Sequence, residues 1–146
     1  MKTALDNRAL LIVMAVLAAF NAILTSGNGL VMLAAPLYWY DTVPGVAATG
    51  FFNQHFIRDI GFIYLLIGLG FSIGWFRPVH RVGLWGVATL WLGAHALFHF
   101  WEVAVGICSS SAIPRDFFGV TLPALIGVAL TYWAFRLSRA RRSAIV

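Results

Sequence analysis

Charge is scarce in this chain. Only 10% of its 146 residues are Asp, Glu, Lys or Arg, while 61% are hydrophobic. A soluble domain averages about 25% charged residues. So few charges cannot cover a water-facing surface. The composition excludes an ordinary soluble domain and reads as one integral membrane domain over 1–146, with no room for a second globular unit. Cysteine is nearly absent. Cys108 alone rules out an intrachain disulfide and a cysteine-rich metal site. It lies before "SSS" and is expected to be inert. Also missing are a phosphate-cradling glycine loop, a CxxC pair, a Ser-His-Asp pattern with usable spacing, any repeat and any low-complexity tract.

Acidic residues are rarer than basic ones, five against ten. The basic residues cluster at Lys2 and Arg8, at Arg77 and Arg81, and from Arg136 to Arg142. Clusters beside apolar runs set topology, so the high isoelectric point does not imply a nucleic-acid partner. The segment from Lys2 to Ser26 resembles a signal peptide, but its apolar part outruns a cleavable core, so a retained first span is expected.

Four windows reach the length of about 20 apolar residues that a spanning helix needs. They run roughly over 9–35, 52–76, 82–106 and 117–137. The first is long enough to tilt or bend near "SGNG", and the fourth is expected to kink at Pro123, which lacks a backbone donor. The positive-inside rule then puts both termini and "RPVHR" in the cytoplasm, as in a bacterial inner membrane protein. The "PLYWYDTVPGVAATG" and "ICSSSAIPRD" connections face outward. Tyr38, Trp39, Tyr40 and Trp101 would form an outer aromatic belt, and Trp75, Trp85 and Trp133 an inner one. Glycines such as Gly61, Gly68, Gly86 and Gly127 would let helices approach closely. The fold class is all-α, a four-helix transmembrane bundle in contact with lipid.

Polar residues break the spans in a pattern. His95, His99 and Glu102 in "HALFHFWE" fall at i, i+4 and i+7 on one face. His55 and Asp59 share a face of span two, beside Arg58. Asn21, Thr25 and Asn28 form a third stripe on span one. All lie toward the outer half. A charge at mid-bilayer costs about 2.5–3.5 kcal/mol on insertion scales, so these groups are expected to face one another in a polar pocket open to the outside.

Such a pocket has three readings. In the first, His55, His95 and His99 bind zinc, copper or iron, with Asp59 and Glu102 as ligands or orienters. A b-type haem ranks behind this, because histidines one turn apart crowd the ring. In the second, the same groups handle protons or polarise a small ligand, with Arg58 holding an anionic group and Asn21, Thr25 and Asn28 lining the site. In the third, Arg58 pairs with Asp59 or Glu102 and the network only sets bundle register, in an accessory or scaffold subunit of a larger membrane complex. A membrane protein partner or a homo-oligomer is expected on any reading.

"RDIGFIYLLIGLG" resembles the second helix of DoxX-like small membrane proteins. Arg58, Gly61, Gly68 and Gly70 match its R-x-x-G and G-x-G pattern. The resemblance implies a four-helix bundle linked to membrane redox systems or acting beside a catalytic partner. The sequence thus points first to a redox-associated membrane protein that binds a metal ion or small ligand.

Overall fold

A computed structural model of the chain describes residues 7–143. Lys2, counted above among the topology-setting cations, lies outside the described residues. Six α-helices follow in order: α1 (Arg8–Ala34), α2 (Pro36–Thr42), α3 (Gln54–Phe76), α4 (Arg81–Ala104), α5 (Ala112–Asp116) and α6 (Leu122–Ser143). No strand occurs among the described residues. Four helical segments are long and apolar enough to cross a membrane: α1, α3, α4 and the run from Ala112 to Ser143.

The four long helices close into a ring. α1 packs on α3, α3 on α4, α4 on α6 and α6 back on α1. Their alternation places the start of α1, the end of α6 and the α3–α4 turn at one end of the bundle, here the terminal end. The α1–α3 and α4–α5 connections lie at the other, the loop end. α1 and α3 start with asparagine caps. Asn7 accepts from the Ala9 N–H, and Asn53 accepts from the Phe56 N–H at 3.1 Å. Each satisfies a donor that the first helical turn leaves free.

The C-terminal ends are closed differently. The Arg58 Nε of α3 donates to the Leu33 carbonyl in the last turn of α1, at 3.1 Å. Arg81 opens α4 and repeats the device. Its Nε donates to the Gly74 carbonyl at 3.0 Å, and its Nη2 donates to the Trp75 carbonyl at 3.1 Å, both at the end of α3. The guanidinium lies about 5 Å from the rings of Trp75, Trp85 and Trp133, a distance at which cation–π attraction operates. Trp85 and Trp133 are therefore core residues, 0% and 4% exposed, and not members of an inner belt at the lipid surface. At the loop end, Tyr38 and Trp101 are exposed as expected, while Trp39 and Tyr40 are half-buried.

α1 runs unbroken through "SGNG". Its Gly29 lies against Gly61 of α3 so closely that an added Cβ would stand 2.6 Å from the Gly61 carbonyl oxygen and 3.0 Å from the Leu65 nitrogen. Gly68 makes a similar approach to Ala22 and Ser26. The R-x-x-G pattern therefore has two physical jobs here: Arg58 caps α1, and Gly61 lets α1 come near.

The fourth span begins earlier than the sequence suggests, at Ala112, and its helix runs on to Ser143. A π-helical turn covers Phe117–Thr121, with the Leu122 N–H bonded to the Phe117 carbonyl. Pro123 supplies no N–H, and its ring crowds the preceding turn. The widened turn just before it is the form the expected disturbance takes. The Asn21 Nδ2 of α1 donates to the Pro123 carbonyl at 3.0 Å, which ties α1 to α6 at this point.

Two stability predictions follow from these contacts. Gly29→Ala has rigid backbone in its way and should lose about 1–3 kcal/mol of stability. Gly83→Ala has nothing within 4 Å and should lose none. Arg81→Lys keeps the charge but loses the planar fork that reaches two carbonyls, at a cost of about 1–3 kcal/mol. Arg77→Lys, on the exposed residue beside it, should be neutral. Thermal unfolding of the purified protein in detergent checks all four.

Candidate functional site

The bundle is solid at one end and hollow at the other. Phe71, Trp85 and Leu130 are fully buried in the half nearer the terminal end. Toward the loop end the packed layer is thin, with Met32, Ile57 and Tyr64 as its buried members. Above it opens a cavity of about 780 Å³ between α1, α3, α4 and the start of the fourth span. That size falls within the range of about 300–1,000 Å³ usual for small-molecule sites.

One wall is a ladder of rings on α4. Trp91, His95 and His99 fall at i, i+4 and i+8, so they stack along one face. Trp91 and His95 lie nearly parallel, with centroids 5.0 Å apart and 20° between planes. His95 and His99 meet edge to face at 4.7 Å. Tyr64 of α3 sets its ring edge-on to both Trp91 and His95, at 5.0 and 6.3 Å. The opposite side carries Trp39, whose Nε1 donates to the Asn28 Oδ1 at 2.7 Å.

At the mouth, the His99 Nδ1 lies 3.1 Å from the Asp116 Oδ2. Arg115 grips the same carboxylate with two bonds, Nε to Oδ1 at 2.6 Å and Nη2 to Oδ2 at 2.9 Å. Gly45, in the loop after α2, has a φ of +89° and sits against the Arg115 guanidinium, so that an added Cβ would overlap it. This loop lines the cavity from Val43 to Val46 and again at Thr49, Gly50 and Phe51, and so forms its lid. The Tyr40 hydroxyl holds the far end of the loop by donating to the Gly50 carbonyl at 2.7 Å.

The sequence-predicted residues divide sharply. His95, His99, Glu102, Thr25 and Asn28 all line the cavity. Thr25 is buried and donates to the Asn21 carbonyl at 2.7 Å. Asn21 lies behind the wall, 0% exposed, with its Oδ1 unpartnered among the described residues. The Arg58 Nε caps α1. His55 and Asp59 pair with each other, 3.2 Å apart, and their side chains are 88% and 57% exposed. They do not meet the α4 histidines. The five-residue centre of His55, Asp59, His95, His99 and Glu102 is therefore not assembled, and no group of three or more His, Cys, Asp or Glu among the described residues could hold a metal ion.

Helix rotation, not height, separates them. Asp59 to Arg77, and Arg81 to His99, each span eighteen residues, about 27 Å at 1.5 Å per residue, so Asp59 and His99 stand at matching height in the bundle. α3 turns His55 and Asp59 outward, while α4 turns His95 and His99 to the cavity.

Several lining residues escaped the sequence reading. Trp91 continues the HxxxH stripe backward by one turn, and that signal was present. Asp116 and Arg115 read as loop residues, because the fourth span starts five residues earlier than its apolar run. Tyr64 looked like any aromatic in a span. Compared with family models, curated proteins and solved structures, the chain has no match.

Because His55 and Asp59 face away from the cavity, His55→Ala and Asp59→Ala should leave the elemental composition of the purified protein unchanged. Elemental analysis checks this. A stoichiometric metal lost on either change would restore the five-residue centre.

Proposed function

We propose that the chain is a multi-pass protein of a bacterial inner membrane whose cavity binds a small amphipathic ligand. Both termini and the Arg77–Arg81 turn lie in the cytoplasm, and the cavity opens outward. Seven of the nine Lys and Arg among the described residues belong to the terminal end in this orientation, in keeping with the positive-inside rule.

One observation carries the reading: a ring-lined hollow inside a bundle that is otherwise closely packed. Apolar walls with a few convergent polar groups are the usual make-up of a ligand site. Here the rings are those of Trp39, Tyr64 and Trp91, and the polar groups are His95, His99 and Glu102. His95 makes ring contacts but no hydrogen bond among the described residues. Its ring nitrogens remain free to bind a ligand's hydroxyl, carbonyl or amine. A flat or ring-bearing molecule would stack in the floor and hydrogen-bond near the mouth. The redox association rests on the DoxX-like pattern alone. Arg58 and Gly61 cap and pack helices, which favours a shared bundle over any shared electron chemistry.

A second reading is favoured by Asp116. Its carboxylate is matched by Arg115 and His99 within the chain, as a structural clamp between α4 and α5 would require. On that reading the protein is an accessory or scaffold subunit, and the hollow has no occupant of its own.

The test is to purify the protein from its native membrane and extract it with organic solvent. Val120→Trp fills the cavity from the fourth span. Mass spectrometry should find a small molecule with the unaltered protein and at least tenfold less with the folded variant. If neither sample carries one, and Val120→Trp leaves the protein's membrane complex intact, the scaffold reading prevails.

A further inference from the structure

The cavity carries an unbalanced charge. Arg115 and Asp116 cancel through two hydrogen bonds. Glu102 does not cancel. Its carboxylate is half-buried at the cavity wall and makes no ion pair or hydrogen bond among the described residues. The other nearby cations are committed elsewhere. Arg58 is spent on the end of α1, and Arg81, Arg136 and Arg139 lie at the terminal end of the bundle. With neutral imidazoles, the lining sums to one negative charge beside a set of aromatic faces.

We propose that the cavity takes an organic cation, an amine or onium group on a ring-bearing or otherwise apolar body, with Glu102 as its counter-ion. The proposal rests on the ligand-binding reading above and names the charge of the ligand.

Three features support it together. A carboxylate that the fold leaves unpaired near a low-dielectric wall gains most from a partner of opposite sign. The rings of Trp39, Tyr64 and Trp91 line the same hollow and offer an apolar body its packing surface. Finally, an anion would meet Glu102 and Asp116, with the only lining guanidinium among the described residues, that of Arg115, already held by two bonds. The helix position agrees. Glu102 lies two turns beyond His95 on α4, nearer the mouth, so a cation held there lets its apolar body reach down toward Trp91.

Two ions of nearly equal shape and opposite charge test the assignment. Tetraphenylphosphonium and tetraphenylborate are each titrated into the purified full chain in detergent, with neutral triphenylphosphine oxide as a third probe. Tryptophan fluorescence reads binding through Trp39 and Trp91. The phosphonium should bind at least tenfold more tightly than the borate. Glu102→Gln should weaken phosphonium binding at least tenfold while leaving the neutral probe unchanged, which also shows that the variant is folded. Glu102→Asp should retain most of the affinity. If all three probes bind alike, or Glu102→Gln leaves the phosphonium unaffected, the cation assignment falls and the pocket stands. If none binds, the pocket reading falls with it.

Discussion

The last carbonyls of a helix have no partner within it, and leaving a buried one unpaired costs about 2–7 kcal/mol. This chain meets that constraint with arginines sent from the next helix. Arg58 closes α1, and Arg81 closes α3. Each bond also sets register, because a guanidinium that reaches one particular carbonyl fixes how far the two helices slide past each other. With α1 and α3 locked in this way, Gly29 and Gly61 fall opposite each other and the helices can touch. The positive charge suits the position too, since helix C-termini carry the negative end of the macrodipole.

The hollow is a consequence of how those locks are distributed. Near the terminal end, Arg81 gathers three tryptophans and the core packs solid around them. Near the loop end, α1 and α3 are held together by glycine contact, while the fourth span is widened by its π-helical turn. The π-helical turn follows directly on Asp116, which bonds His99 beside the space between α1 and α4. The Gly45 loop then closes over Arg115 and gives the space a roof. Solid packing at one end holds the open end in shape.

Much of this was readable in advance. Long apolar runs separated by short polar segments allow only a few arrangements in lipid, so the four spans and their antiparallel order came through, as did the role of Gly61 and Gly68. The stripe of His95, His99 and Glu102 was also right as a face, because helical phase follows from spacing alone. Two assignments were not right. Trp85 and Trp133 were read as interface residues, yet they surround a buried arginine. His55 and Asp59 were placed with the α4 histidines, yet they pair with each other on the outside.

Composition and periodicity were enough to establish that the chain has four helices long and apolar enough to cross a membrane and that one face of α4 is polar, since both follow from local rules: apolar length and residues per turn. Which polar faces meet was a matter of helix rotation, and this depends on contacts between distant residues. Asp59 stays outside because α3 turns that face away from the cavity. Asp116 could come inside because the π turn and Pro123 reshape the start of the fourth span. Neither outcome is encoded in the neighbours of those residues along the chain.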